Sequence, residues 1–308
     1  MGVLEAHSIT KIYRRRGLEK HVRALDQVSL TINEGEVFGL LGPNAAGKTT
    51  FVKAALGIVL PEQGGIRLFG QRVESLSVKR RLGYLPEEPL FPAYLTGRKF
   101  LHYCGLLSLI PRAVLGARVE EYLGLLGLEH YADQKIRGYS KGLRRQLGIA
   151  QALLSRPQFI ILDEPTEGLD PVARKNIRGL LGNLRDEGCT IFLNSHVLSE
   201  IELVCDRVGI LSKGRLLKIG TIKEFTSDSR GYHLTVRRSS LNGLDLSSEC
   251  DVRIDQDEAT FSVPDANALD RLVDKLRSNG IHVEAIHSVT STLEEAFIKV
   301  VSEPGGQQ

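Results

Sequence analysis

A glycine-rich segment in the first fifty residues carries the strongest chemical signal in the sequence. It reads Gly42-Pro43-Asn44-Ala45-Ala46-Gly47-Lys48-Thr49-Thr50, which fits the pattern G-x-x-x-x-G-K-[ST] in full. In such a turn, backbone N–H groups converge on phosphate oxygens, and the N-terminus of the following helix adds its positive end. Lys48 can then reach the β- and γ-phosphates, and Thr49 can ligate Mg²⁺. This phosphate loop is predicted to bind a nucleotide.

Two adjacent carboxylates follow a fully apolar stretch later in the chain. Residues 159–162 have the composition of a strand buried in a parallel sheet, and Asp163 and Glu164 come directly after it. Asp163 suits Mg²⁺, usually held through water, and Glu164 is placed to orient or deprotonate an attacking water. An Asp–Glu pair alone is a weak signal. Together with the phosphate loop it indicates nucleotide hydrolysis.

The predicted elements place both motifs at the ends of strands, where this chemistry needs them. A strand over residues 36–41 leads into the phosphate loop, and a helix over 48–56 follows it. The carboxylates are followed by a helix over 172–187 and a strand over 190–194. Strands are also predicted at 3–12, 24–32 and 66–69, a turn at Gly64-Gly65, helices at 100–109, 114–126 and 143–154, and a hairpin at 208–219. This order is typical of an α/β protein with a helical insertion.

Three further short motifs follow in a fixed order. Residues 139–146 read Y-S-K-G-L-R-R-Q, residues 164–171 read E-P-T-E-G-L-D-P, and Asn194-Ser195-His196 closes a predicted strand. With the two earlier motifs, this set resembles the ATP-binding subunit of ATP-binding cassette (ABC) transporters, from about residue 3 to residue 221. The Y-S-K-G motif and Leu85-Pro86-Glu87-Glu88 resemble the branch that serves bacterial exporters with separate membrane subunits, including drug, polysaccharide, sodium and copper-related systems.

The resemblance implies a role for each matching residue. Tyr13 matches the aromatic residue that stacks on adenine, and His196 matches the histidine that contacts the γ-phosphate. Ser140, Lys141 and Gly142 match the signature motif, which in this family contacts the γ-phosphate bound to the other subunit. The implied catalytic residues are Glu164, His196 and Lys48.

Two more roles concern communication with other subunits. Asp170 matches the loop that communicates across the dimer. Glu87 occupies the place of a glutamine that links the site to the membrane partner, and it joins Thr49 and Asp163 as a predicted contact of the metal. Glutamate at that position adds a negative charge near Mg²⁺ and cannot donate a hydrogen bond as glutamine does.

The sequence also departs from the family pattern at other positions. Ala45 replaces a glycine, and its methyl group is expected to be tolerated only if the local φ is negative. Lys141 replaces a second glycine, and its cation could attract the anion or point to solvent. Leu143 replaces the glutamine of the signature motif. We expect Arg144 and Arg145 to lie on the exposed face of the signature helix.

The fold class implied is α/β: a P-loop ABC ATPase cassette with a parallel core sheet, an antiparallel β subdomain and a helical insertion. The cassette is predicted over residues 1–225, with its helical subdomain at about 94–156, and a small α+β accessory domain over 226–308. In this second domain we expect strands at 232–238, 251–254, 259–263 and 281–286 and a helix at 266–278. A last helix is predicted to begin near Ser291, with Glu294 completing a capping box.

Composition limits the classes of protein that remain. Lys and Arg total 40 and Asp and Glu 37, and the net charge of +3 is too small to argue for wholesale nucleic-acid binding. The most apolar stretch, residues 101–110, is far shorter than the ~20 residues of a membrane span. No secretory signal is expected, and the four widely spaced cysteines are typical of reduced thiols. The arginine cluster at Arg14, Arg15 and Arg16 is expected to be a solvated loop.

These observations together predict a Mg²⁺-dependent ATPase that acts as a homodimer on a separate transmembrane permease. Each ATP is expected to lie between the phosphate loop of one chain and residues 140–142 of the other. The expected location is cytoplasmic, peripheral to the cytoplasmic face of the inner (plasma) membrane, with no nucleic-acid partner. Two alternatives stay open: a soluble ABC ATPase that acts on nucleic acid or the ribosome, and a regulatory module that has lost hydrolysis.

Overall fold

The computed structural model describes residues 2–14, 21–226, 229–241, 250–255 and 257–302. The chain divides into two compact units: one comprises the residues up to Thr221 and those from Val300 onward, and the other spans Ile222–Lys299. Within the described ranges, no helix has both the length and the apolar character needed to cross a membrane. Of the predicted arginine cluster, Arg15 and Arg16 lie outside the described residues.

The first unit contains ten strands and seven α-helices among its described residues. The strands are β1 (Gly2–Arg14), β2 (His21–Asn33), β3 (Val37–Leu41), β4 (Gln63–Leu68), β5 (Gln71–Arg72), β6 (Leu82–Leu85), β7 (Phe159–Asp163), β8 (Thr190–Asn194), β9 (Arg207–Ser212) and β10 (Arg215–Thr221). The helices are α1 (Lys48–Ala55), α2 (Leu76–Lys79), α3 (Gly97–Leu107), α4 (Arg112–Leu125), α5 (Lys141–Leu153), α6 (Pro171–Asp186) and α7 (Leu198–Val204).

A six-stranded sheet in the order β10-β9-β3-β8-β7-β6 forms the core. All neighbouring pairs are parallel except β10 with β9. Every residue of β3, β7 and β8 is buried, as expected for central parallel strands that are covered on both faces. Parallel strands end at the same edge, so the loops that follow these three strands lie side by side. The edge strand β6 was not predicted from the sequence.

A second, antiparallel sheet has the order β2-β1-β4-β5. Apolar residues from this sheet, from α1 and from the core sheet form one cluster, in which the ring of Phe51 stacks on Phe192 with centroids 5.9 Å apart. The turn predicted at Gly64-Gly65 is wrong, since both residues belong to β4. Gly64 has a φ of +78°, and a Cβ there would lie 2.2 Å from the carbonyl oxygen of His7. The absence of a side chain at Gly64 therefore allows β4 to pair closely with β1.

The predicted helical insertion is confirmed. Helices α3, α4 and α5 occupy the segment between β6 and β7, and no strand lies between them. Thr96 caps α3 by accepting a hydrogen bond from the backbone N–H of Lys99. Apolar residues at helical spacing on α3 and α4, among them Leu101 and Leu123, are fully buried. Packing of these apolar faces stabilises the insertion.

The second unit is a four-stranded antiparallel sheet with helices. Its elements are α8 (Ile222–Thr226), β11 (Ser229–Arg237), β12 (Asp251–Ile254), β13 (Glu258–Val263), α9 (Ala266–Ser278), β14 (Val283–Thr290) and α10 (Leu293–Ser302). The strand order is β12-β13-β11-β14, and Leu272 and Leu276 of α9 pack in one apolar cluster with Leu234 of the sheet.

The capping box predicted at Ser291 and Glu294 is displaced by one residue. The hydroxyl of Thr292 accepts a hydrogen bond from the N–H of Glu295 at 3.2 Å, and the carboxylate of Glu295 accepts one from the N–H of Thr292 at 3.1 Å. Ser291 is buried instead. Two overlapping S/T-x-x-E patterns occur here, and burial decided between them.

Candidate ATP-hydrolysis site

The site lies at the carboxyl edge of the core sheet, where three neighbouring strands end. Strand β3 leads into the phosphate loop, β7 ends at Asp163, and β8 ends at Asn194. Asp163 and Asn194 are paired in the sheet register. Since β8 lies between β3 and β7, the Asn194-Ser195-His196 segment follows the strand between the two motifs that the sequence singled out. The parallel topology therefore brings the predicted phosphate, metal and water sites to one edge.

Lys48 is held inside the phosphate loop. Its ammonium group donates hydrogen bonds to the carbonyl oxygens of Gly42 at 2.6 Å and Pro43 at 3.2 Å. Burial lowers the pKa of Lys48, and the nearby carboxylates of Glu164, Asp163 and Glu87 act in the opposite direction. A partly buried cation that donates to neutral carbonyls of its own loop is suited to bind an incoming phosphate.

The backbone of the loop depends on two residues in the left-handed region. Gly47 precedes α1 with a φ of +108°, and a Cβ there would lie 2.3 Å from the carbonyl oxygen of Ala24. Ala45 has a φ of +63°. The expectation that the methyl of Ala45 requires a negative φ is wrong: the side chain is exposed, so the loop keeps a conformation that costs about 1–2 kcal/mol for a non-glycine residue.

Asp163 is almost fully buried at the end of β7. One carboxylate oxygen accepts a hydrogen bond from the side-chain amide of Asn194 at 2.5 Å. Burial raises the pKa of Asp163 to about 6; Asn194 opposes the rise, and the charges of Glu87 and Glu164 add to it. A site that disfavours the ionised carboxylate in this way gains from a cation placed beside it.

Glu164 has the most constrained backbone and side chain of the site. Its φ is +51°, and its side chain is only 8% exposed. One carboxylate oxygen accepts a hydrogen bond from the backbone N–H of His196 at 2.9 Å and lies 2.7 Å from Nδ1 of the same residue. The other accepts a hydrogen bond from the hydroxyl of Ser195 at 3.2 Å. The segment after β8 therefore fixes the carboxylate after β7.

The imidazole of His196 is also open to solvent, with 60% of its side chain exposed. It can reach a ligand outside the protein while Nδ1 stays on Glu164. The contact between Nδ1 and the carboxylate of Glu164 fixes the orientation of the imidazole ring. His196 and Glu164 thus form a contacting pair, with the carboxylate buried and the imidazole open to solvent.

The signature residues lie at the start of α5. The hydroxyl of Ser140 caps this helix by accepting a hydrogen bond from the N–H of Leu143 at 3.2 Å. The ammonium group of Lys141 lies 2.6 Å from the carboxylate of Glu167, while 62% of the lysine side chain is exposed to solvent. Asp170 caps α6 by accepting a hydrogen bond from the N–H of Ala173 at 2.9 Å.

Arg145 contradicts the prediction of an exposed side chain, because only 2% of it is exposed. Its guanidinium group donates to four oxygens: the carbonyls of Pro86 at 3.0 Å, Asp163 at 3.2 Å and Glu87 at 2.6 Å, and the carboxylate of Glu167 at 3.4 Å. It joins the signature helix to the end of β7 and to the loop after β6.

The sequence did contain a signal for the burial of Arg145. Four and seven residues later on the same helix stand Ile149 and Ala152, which are both buried, so Arg145 lies on the apolar face of α5. Arg144, one position earlier, is exposed as predicted. The contact with Glu167 had no comparable signal, since it joins α5 to a loop residue 22 positions later in the chain.

The two remaining predicted site residues, Tyr13 and Glu87, have exposed side chains. Tyr13 stands near the end of β1 with 40% of its side chain exposed, and the ammonium group of Lys11 lies 5.6 Å from the centre of its ring. Glu87 has an exposed side chain, and its backbone carbonyl oxygen binds Arg145. Its charge nevertheless acts on Lys48 and Asp163.

Comparison with known proteins agrees with this geometry. The ABC transporter family model matches residues 25–167. An uncharacterized ABC transporter ATP-binding protein of Synechocystis sp. is 35% identical over 98% of this chain and 86% of its own length. The bacitracin transport ATP-binding protein BcrA of Bacillus licheniformis is 33% identical over 97% of both chains. This chain belongs to the ABC transporter ATP-binding subunits.

A solved structure described as the ATP-binding subunit of an ABC transporter has the same fold. It superposes with a TM-score of 0.66 at 28% identity, over 72% of this chain and 91% of its own. The chain is accordingly an ATP-binding and ATP-hydrolysing subunit of a transporter, which the comparisons support over the nucleic-acid, ribosomal and regulatory alternatives. A solved structure of cbiO1 from Clostridium perfringens, described as part of the ABC transporter complex cbiONQ, matches with a TM-score of 0.62 at 28% identity, over 72% of this chain and 90% of its own.

Proposed function

We propose that this ABC subunit powers export through a separate transmembrane permease, by Mg²⁺-dependent ATP hydrolysis in a pair of identical chains. The observation that carries the proposal is the geometry of Glu164. A buried carboxylate on a left-handed backbone, held by Ser195 and His196, stands at the same edge as the phosphate loop. Strain of this kind persists where the surrounding structure enforces it, and it is concentrated at functional sites.

The residues of the site divide the work of hydrolysis. The loop from Gly42 to Thr50 binds the phosphates through backbone N–H groups, and Lys48 exchanges its two carbonyl contacts for phosphate oxygens. Glu164 orients the attacking water and accepts its proton, because its carboxylate is already fixed in position. His196, which contacts Glu164, donates to the γ-phosphate from its exposed side. Tyr13 stacks on the adenine ring.

The donors at the edge of the sheet fit Mg²⁺. Thr49 offers a hydroxyl and Asp163 a carboxylate, the oxygen ligands that this ion prefers alongside several waters. The side-chain oxygen of Asn194 is buried and accepts no hydrogen bond from a described residue, so it can accept one from a metal-bound water. Glu87 adds negative charge at the same edge. When bound, the ion neutralises charge on the β- and γ-phosphates.

Hydrolysis is proposed to require two copies of the chain. Ser140 and Gly142, at the N-terminus of α5, are suited to bind an anion that the chain's own phosphate loop does not hold. We propose that they, with Lys141, complete the site of the second copy, and that Asp170 signals between the two. Each ATP then lies between two chains, and its hydrolysis lets them separate.

An exposed apolar region of the cassette is proposed to receive the membrane subunit. Leu76, Leu107 and Leu109 line an open cleft of about 380 Å³ between α2 and the end of α3. All three side chains are more than 60% exposed, which is costly unless a partner covers them. Docking here would hold the chain at the cytoplasmic face of the inner membrane. Export follows from the Y-S-K-G motif and from likeness to the bacitracin transport protein.

The second unit is proposed to act as an accessory domain, within the predicted range 226–308. Its described residues form a sheet that buries its own apolar cluster, which includes Leu234, Phe261 and Leu276. It therefore has the core of an independent domain. We propose that it braces or regulates the dimer.

The Glu164→Gln variant tests the catalytic assignment. It should bind ATP with the affinity of the parent chain, accumulate as a dimer with bound ATP, and hydrolyse ATP at least about 100-fold more slowly, since general base catalysis contributes at that level. Glu34→Gln is the matched control, because Glu34 is exposed in the turn before β3. Hydrolysis by Glu164→Gln at the parent rate would show that another group activates the water.

A further inference from the structure

Two cations of the signature helix α5 contact the carboxylate of Glu167. One of its oxygens lies 2.6 Å from the ammonium group of Lys141, at the first residue of α5. The other lies 3.4 Å from the guanidinium group of Arg145, one turn later on the same helix. Glu167 itself belongs to the loop between β7 and α6. A single carboxylate thus joins the signature helix to the loop that begins at Glu164 and ends at Asp170.

Packing reinforces the ionic contact between Lys141 and this loop. Gly168 has a φ of +74°, and a Cβ placed on it would lie 2.9 Å from Cδ of Lys141. The aliphatic part of the lysine therefore lies against the glycine while its ammonium group reaches Glu167. The hydrogen bond from Lys141 lowers the pKa of Glu167, and the charges of Arg145 and His196 act in the same direction. Glu167 is thus ionised at neutral pH.

Arg145 links Glu167 to the chain's own nucleotide site. Its three carbonyl partners lie in the loop after β6 and at the end of β7, which bears the chain's own catalytic carboxylates. A buried guanidinium needs a nearby negative charge, and among the described residues Glu167 is the carboxylate in ion-pair contact with it. Glu167 consequently contacts both Arg145, which binds oxygens beside the chain's own site, and Lys141 in the signature segment.

We propose that Glu167 is a positioning residue. It fastens residues 140–142 to the loop of residues 164–170, so that the signature segment meets the nucleotide of a second copy in a fixed orientation. The inference rests on the proposed function, in which residues 140–142 act on the partner's ATP. It also gives Lys141 a role within its own chain, through which it helps to complete the site of the second copy.

A double-mutant cycle in the ATP-trapping Glu164→Gln chain tests the proposal. Analytical ultracentrifugation measures the ATP-dependent association of that chain and of the same chain carrying Glu167→Gln, Lys141→Met or both. Methionine keeps the apolar stem of Lys141 over Gly168 and removes the charge. Each single change should weaken association by about three- to tenfold, and the double change should be no weaker than the weaker single variant.

Two further measurements separate positioning from general damage. Binding of a fluorescent ATP analogue, at protein concentrations too low for association, should stay within about twofold for every variant, since the phosphate loop is untouched. Arg144→Met is the matched control: it removes an exposed cation of the same helix whose guanidinium group donates to the carbonyl oxygen of Arg137, and association should not change.

The outcomes distinguish the inference from the proposed function. If the Glu164→Gln chain does not associate with ATP, the two-chain site itself is wrong and the inference falls with it. If that chain associates but the effects of Glu167→Gln and Lys141→Met add independently, Lys141 acts directly on the nucleotide and the positioning role is refuted. Loss of analogue binding in the Glu167→Gln variant would equally refute it.

Discussion

Replacing Asp163 by asparagine should stabilise the metal-free chain at neutral pH, and the gain should shrink in acid. Asp163 is 1% exposed, and its pKa is raised from 3.8 to about 6, mainly by burial. A carboxyl with a raised pKa in the folded state costs stability above that pKa and costs none below its unfolded pKa. Asparagine resembles the protonated acid in shape, and its carbonyl oxygen can still accept the hydrogen bond from Asn194.

The size of the effect follows from the shift of about two pKa units. At about 1.4 kcal/mol per unit, ionising Asp163 costs about 3 kcal/mol at pH 7.5 and about 1 kcal/mol at pH 4.5. For a unit of this size, 1 kcal/mol corresponds to about 2–4 °C in melting temperature. Asp163→Asn should therefore melt about 6–12 °C above the parent at pH 7.5 and about 2–4 °C above it at pH 4.5.

Differential scanning calorimetry in the presence of EDTA measures the difference in melting temperature between variant and parent at each pH. The relevant transition is that of the first unit, which contains Asp163. Asp186→Asn is the matched control, because this carboxylate is exposed at the end of α6 and its loss should move the transition by less than about 2 °C. A gap for Asp163→Asn that is equal at the two pH values would refute the reasoning, since it would show that the burial of Asp163 does not disfavour its charge.

Two further predictions concern backbone and capping. Ala45→Gly should stabilise the first unit by about 1 kcal/mol. Glycine relieves about 1–2 kcal/mol of backbone strain at a φ of +63°, which exceeds the cost of about 0.4–1 kcal/mol from the greater entropy of the unfolded chain. A lowered melting temperature would contradict this. Thr292→Ala should destabilise the second unit by about 1 kcal/mol, as measured by urea unfolding. Ser278→Ala, outside the capping box, is the control and should leave the free energy of unfolding unchanged. Equal losses of stability in the two variants would show that Thr292 does not cap α10.

Much of the site could be predicted because its residues are consecutive. The phosphate loop needs a strand, a glycine-rich turn and a helix in direct succession, and residues 36–56 supply all three in order. The apolar run before Asp163 likewise predicted a buried strand with polar groups at its end, and β7 is buried throughout. Apolar periodicity also predicted the helical insertion, because a helix that packs on one face shows that face in its sequence.

Other features depended on contacts between distant segments. Strand β6 was not predicted from its own residues, yet it pairs with β7 across more than seventy residues of chain. The left-handed backbone of Ala45 and Glu164 has no sequence marker, because neither residue is a glycine. In each case the surrounding structure sets a conformation that the residue itself does not favour.

The sequence by itself determined the family, the order of the strands and helices that carry the motifs, and which residues are available to bind phosphate and activate water. The tertiary structure decided how those residues are held. It placed Arg145 in the interior, where it contacts oxygens of Glu87 and Asp163 that lie 58 and 18 positions away in the chain. It also placed Glu167 against Lys141 and His196 against Glu164. Local patterns report only which side of an element is apolar, whereas the partner of a buried charge is set by the packing of elements that meet after folding.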